Sequence, residues 1–214
     1  MTLILTAIGN NGICVCADKR YRLINSNGTT RNDDTNHKIF SFKDLPLVIL
    51  NHGINRFKNR DWKKYCSDYE TSGRWRGKDQ FQIVNDFSLF IEKDVVDELN
   101  LHKNDKYAVG FLICGKTFYD TKYKVNELFW IIDNGMISFQ TLRHKAFIQT
   151  GDDRAKQYIR QIISNTKVGS EAYWKNMKLL QMENELRRLF LLAVGEKKKV
   201  GGEEFSDEFE TKSI

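Results

Sequence analysis

The chain has little that would break it into pieces. It holds one proline, Pro46, in 214 residues. That excludes a proline-stiffened linker, and there is no internal repeat or low-complexity tract. A single domain over 1–214 is expected, with a full core and a polar, flexible tail over 203–214. No apolar run approaches the ~20 residues of a membrane-spanning helix. The start lacks the basic stretch, apolar core and cleavage site of a signal peptide, so a cytoplasmic location is expected. Cysteine is sparse: Cys14, Cys16, Cys66 and Cys114. Cys14 and Cys16 point to one face of one strand, a poor geometry for pairing with each other. Buried free thiols in a reducing compartment are expected. The Cys-x-Cys pair has no neighbouring His or Cys, so no metal is expected.

What is present is an ordinary globular composition, 41% hydrophobic and 12% aromatic. The net charge of +6 comes from 34 basic and 28 acidic residues with the signs intermixed. That pattern reads as a solvated surface. A nucleic-acid partner would rest only on the charge and on Lys197-Lys198-Lys199, and neither that partner nor a membrane is expected.

Leu3 to Ile8 and Ile13 to Ala17 read as two strands joined by Gly9-Asn10-Asn11-Gly12, whose residues tolerate the positive φ of a tight hairpin. Lys38 to Phe42 and Pro46 to Leu50 follow as strands. Ile54 to Glu70 reads as a helix with Phe57, Trp62, Tyr65 and Tyr69 inward, broken by the glycines of Thr71 to Lys78. Asp79 to Leu101 is the clearest helix. Asp79 with Gln82 makes a capping box, and Ile83, Val84, Phe87, Phe90, Ile91 and Val95 form one stripe. Tyr107 to Cys114 reads as a strand. Glu127 to Ile132 and Met136 to Leu142 make a hairpin about Asn134-Gly135. Asp153 to Ser164 and Ser170 to Val194 read as helices, the second with Tyr173, Trp174, Met177, Leu180 and Phe190 inward and Gly195 at its end. Strands, two helices, strands, two helices and a short strand do not alternate as a parallel sheet requires. The fold class expected is α+β, with two antiparallel sheets and a helix pair outside each.

The stretch from Met1 to Phe40 carries the chemistry. Without Met1, Thr2 would hold a hydroxyl and a free α-amine on one residue. An α-amine titrates near ~8 and acts as a base at neutral pH. A threonine hydroxyl beside such a base becomes a nucleophile. A small residue such as Thr2 after the initiator permits its removal. Asp18, at the end of a strand, and Lys38, at the start of another, supply charges of opposite sign to order and tune the pair. For each a bland role is available: a turn cap for Asp18 and a surface position for Lys38.

Thr2 on the first strand, ICVCADKR on the second, NHKIF some twenty residues later and then LPLVILNHGINR resemble the proteasome β-subunit family of N-terminal-nucleophile hydrolases, in its bacterial type. Order and spacing agree from Thr2 to Asp18, with an insertion in the loop Arg22 to Asn36 before Lys38. The resemblance implies a four-layer αββα sandwich of two antiparallel sheets and a threonine peptidase or amidohydrolase. It maps catalysis onto Thr2, Asp18 and Lys38. It gives the Gly53 N–H to the oxyanion and supporting positions to Arg20, Thr150, Gly151 and Asp152. Gly53 equally suits a plain turn, and Asp152 a helix cap. His52 stands where the family is smaller. The segment Glu196 to Gly202 lacks the aspartate and serine that the family often places before its last strand. No metal or organic cofactor is implied. Self-association into rings or stacked rings is implied, with peptide or protein substrates and an unfoldase as a possible partner. The rival expectation is a catalytically silent subunit of the same fold, acting as a structural or binding module.

Overall fold

A computed structural model describes residues 2–24, 30–101, 108–164 and 166–214. The chain divides into two compact units, Met1–Ile39 with Lys145–Ile214, and Phe40–His144.

In the first unit, β1 (Leu3–Gly9) and β2 (Gly12–Asp18) form the expected hairpin. A second pair of strands, β3 (Tyr21–Ile24) and β4 (Thr30–Asp33), falls in the region of the expected loop insertion; residues 25–29 lie outside the described residues. β5 (Ile39–Ser41) leads into the second unit, where β6 (Leu47–Gly53) is followed by a small hairpin, β7 (Arg56–Phe57) and β8 (Arg60–Asp61). Then come α1 (Trp62–Ser72), α2 (Gln80–Asn100), β9 (Ala108–Gly115), β10 (Lys124–Asp133) and β11 (Met136–His144). The chain returns to the first unit with β12 (Ile148–Gly151), α3 (Asp153–Ile163), α4 (Glu171–Trp174), α5 (Leu179–Lys199) and β13 (Phe209–Ser213).

The first unit is built on an antiparallel sheet in the order β12-β1-β2-β13. Alternation along the strands puts Leu3, Leu5, Ala7, Cys14 and Cys16 on one face, in a core with Met182, Leu186, Leu189 and Phe190 of α5. The second unit has a sheet in the order β11-β10-β9-β6-β5, with Ile49, Phe111 and Leu128 in a core with Trp62 and Tyr69 of α1 and Ile83, Phe87 and Ile91 of α2. Each fully buried Leu, Ile or Phe is worth roughly 1.5–3 kcal/mol, so these two stripes dominate what holds helices to sheets. All four cysteines are free and buried. Burial pushes the Cys14 thiol up to about 11 and the Cys16 thiol well above its ordinary value.

Several expectations are corrected. The helix read from Ile54 begins only at Trp62, after β7 and β8. The helix from Ser170 is two: α4 stops at Trp174 and α5 starts anew at Leu179. The β1–β2 turn captures the break, with Asn10 N–H donating to the Lys175 carbonyl at 2.9 Å and Asn11 Nδ2 to the Met177 carbonyl at 3.0 Å. The restart rotates the stripe, so Leu180 is 69% exposed rather than inward. Gly195 does not end α5, which runs through Lys197-Lys198-Lys199. Neither Asn10 nor Asn11 takes positive φ; the Asn134-Gly135 turn does, at 50° and 76°.

Candidate active site

The site is assembled within the first unit from strand ends. Thr2 precedes β1, Asp18 ends β2, and Lys38 stands just before β5. All three are buried: Thr2 6% exposed, Asp18 and Lys38 0%. Lys38 Nζ donates to Thr2 Oγ1 at 2.9 Å and to Asp18 Oδ1 at 2.8 Å. Asp18 Oδ1 also accepts from the Leu3 N–H at 2.8 Å, and Oδ2 from the Arg20 N–H at 3.0 Å and the Ser206 N–H at 3.3 Å. A buried carboxylate met by four donors on separate segments is tightly fixed, and removing its partner would strand a charge.

Burial pushes the Lys38 ammonium below the ordinary lysine range, opposed first by the charge and hydrogen bond of Asp18 and then by Glu210. Its ammonium also sits 5.4 Å from the centre of the Tyr21 ring. An ammonium bonded to a hydroxyl oxygen stabilises the alkoxide form of that oxygen.

On the other side of Thr2, β12 pairs with β1, with Thr150 opposite Ile4 and Gly151 opposite Leu3. Gly151 has φ +114°, and a Cβ there would stand 2.0 Å from the Thr2 carbonyl oxygen, so only glycine lets the strands close. Asp152 N–H donates to that same carbonyl at 2.8 Å. The Asp152 side chain is turned away as the N-cap of α3, accepting from the Arg154 and Ala155 N–H groups. The backbone of 151–152 thus holds Thr2, while the carboxylate serves the helix. Thr150 is buried.

The Arg20 guanidinium reaches past Asp18. It binds Asp34 through two bonds of 2.8 and 2.7 Å and the Glu203 carbonyl at 2.7 Å. Arg20 holds the Asp34 carboxyl below its usual range. A shallow polar pocket of about 390 Å³ opens there, lined by Arg20, Asn32, Asp34, Lys197 and Ser206 among others; neither Thr2 nor Lys38 lines it. Its lysines are committed, Lys197 and Lys198 both to Asp207.

Two participants escaped the sequence reading. Ser206, 1% exposed, brings its N–H to Asp18 from the segment before β13. Glu210 on β13 accepts from the N–H groups of Lys38 and Ile39. The segment 196–202 is the end of α5 and the turn after it; Ser206-Asp207 stand just before the last strand. The signal available was that order alone.

Gly53 ends β6 in the second unit with φ +80°, and a Cβ there would lie 2.0 Å from the Ala108 carbonyl oxygen. The His52 ring lies over Gly110, where a Cβ would come within 2.0 Å of it, and its Nε2 is 3.0 Å from Glu127 Oε1. Met1 lies outside the described residues. Among the described residues no cluster of His, Cys, Asp and Glu is arranged to hold a metal ion.

No protein-family model and no curated protein matches the chain. Solved structures do. Anbu, an ancestral beta-subunit, from Yersinia bercovieri superposes with TM-score 0.61 at 8% identity, over 99% of this chain and 80% of that one. A Gly-1 mutant of Anbu from Hyphomicrobium sp. strain MC1 gives 0.59 at 11% identity, again over 99% and 80%. Anbu from the same strain in another crystal form gives 0.56 at 11%, over 99% and 81%. At such identities the likeness is one of fold. The expected class is the one found: α+β with two antiparallel sheets and helices, in the fold of Anbu.

Proposed function

We propose that the chain is a proteasome-like threonine hydrolase, one functional domain over 1–214, that cleaves peptide or other amide bonds after Met1 is removed. The observation that carries this reading is the buried bridge of Lys38 between Thr2 Oγ1 and Asp18 Oδ1. Thr2 Oγ attacks the amide carbonyl, and its proton passes to the Thr2 α-amine, directly or through a water. Lys38 stabilises the developing alkoxide, and Asp18 fixes Lys38. The Gly53 N–H is assigned to the oxyanion. The tetrahedral intermediate expels the amine, which leaves with the proton, and water then hydrolyses the ester on Thr2. Arg20, Thr150, Gly151 and Asp152 support the site and do not react. No metal or organic cofactor enters.

The setting proposed is a cytoplasmic ring or stack of rings acting on peptides or proteins, with an unfoldase as a partner. Thr2→Ala is expected to keep fold and assembly and to lose turnover of peptide substrates. Undiminished turnover in that variant would end the catalytic claim. The rival reading is a silent subunit that retains Met1 and serves assembly. The mass of the mature chain separates the two.

A further inference from the structure

The N–H groups of Lys38 and Ile39, where the chain enters β5, both donate to one oxygen of Glu210, the Ile39 bond measuring 3.0 Å. The other Glu210 oxygen lies 2.8 Å from His37 Nδ1. His37 is also held from the far side, where the Tyr21 hydroxyl donates to its carbonyl at 3.3 Å. Three successive residues, His37, Lys38 and Ile39, are therefore tied to a single carboxylate.

That carboxylate belongs to the frame that carries Asp18. β13 pairs with β2 with Phe209 opposite Asp18 and Glu210 opposite Ala17. The approach to β13 is also fixed. Lys197, 3% exposed, donates to the Phe205 carbonyl at 2.6 Å and to Asp207 at 2.5 Å, and the Phe205 ring is fully buried. Asp18 and Glu210 are thus set by one sheet. Glu210 grips the Lys38 main chain, while Asp18 receives the Lys38 ammonium.

We propose that Glu210 is a positioning residue for Lys38: it anchors the backbone of 37–39 to the sheet, so that the ammonium lands between Asp18 and Thr2. Glu210 touches none of the reacting atoms. This rests on the catalytic reading of Lys38 given above. It also makes the C-terminal strand part of the site.

The test compares Glu210→Asp, Glu210→Gln and Glu210→Ala in the full chain by crystal structure, and by the rate at which a threonine-directed electrophile labels Thr2 once Met1 is removed. Aspartate keeps the charge but is one methylene too short for the two N–H groups. In E210D, and in E210A where it folds, Lys38 Nζ is expected to leave hydrogen-bond distance of Thr2 Oγ1. Labelling should slow by roughly tenfold to a hundredfold, as a shift of about an ångström does at a reacting centre. Glutamine keeps an acceptor oxygen at the right reach, so E210Q should restore most of that loss. Lys38 unmoved in E210D, or E210Q labelled as slowly as E210D, overturns the proposal. If the unsubstituted protein is not labelled at all, the hydrolase reading falls, and the Lys38–Thr2 distance in the variants still decides whether Glu210 positions Lys38.

Discussion

At the scale of single residues, the site is a problem in where a lysine can be kept. An ammonium in a site from which water is excluded is costly, and burial pushes Lys38 toward its neutral form. Asp18 pulls it back, and Asp18 is itself satisfied by three backbone N–H groups, those of Leu3, Arg20 and Ser206. Thr2 is fixed from the opposite side by main chain, which makes Gly151 as exacting as the charged pair. A methyl group on Gly151 would strike the Thr2 carbonyl oxygen at a φ that an L-residue avoids. Gly151→Ala is expected to lower the melting temperature and to slow Thr2 labelling more than it weakens any helix. A calorimetric scan with a labelling time course checks both, and unchanged labelling would show that the close approach is unimportant. The three central residues were legible because each follows or begins an apolar strand in a fixed order. Glu210 and Ser206 were not. Their contacts, to residues 37–39 and to Asp18, span far more of the chain than any local pattern reaches, and a glutamate in a polar tail has no signature that separates it from a solvated one.

At the scale of elements, local chemistry and tertiary contact divide the chain between them. α2 is set by its own sequence: Asp79 accepts from the Gln82 N–H at 2.8 Å while Gln82 returns a bond to the Asp79 N–H at 2.9 Å. Loss of such a cap costs about 1 kcal/mol. Asp79→Ala should therefore lower stability by about that amount in denaturant, with the slope of the transition unchanged. A loss several times larger would mean that Asp79 does more than cap. α5 is the contrary case. Its residues read as one helix from Ser170, yet the carbonyls of Lys175 and Met177 are taken by Asn10 and Asn11 of the β1–β2 turn. A hydrogen bond from a distant strand turn leaves no trace in periodicity, so the break and the exposure of Leu180 were not readable. The small β7–β8 hairpin ahead of α1 was missed for a local reason. Its turn places Lys58 and Asn59 at positive φ, and lysine does not announce that conformation.

At the scale of the whole molecule, each unit carries an antiparallel sheet with helices on it, and the fold is that of Anbu. The order of elements was enough to reach that class, because strands, a helix pair, strands and a second helix pair leave few antiparallel solutions. The chemistry claimed for the fold depends on one event in the life of the chain, the exposure of the Thr2 amine. The most direct measurement is the intact mass of protein taken from its native host, before and after incubation with a threonine-directed electrophile. The mature chain is expected to lack Met1 and to gain one adduct, located at Thr2 and absent in Thr2→Ala. A population that keeps Met1 throughout and gains no adduct would contradict that expectation.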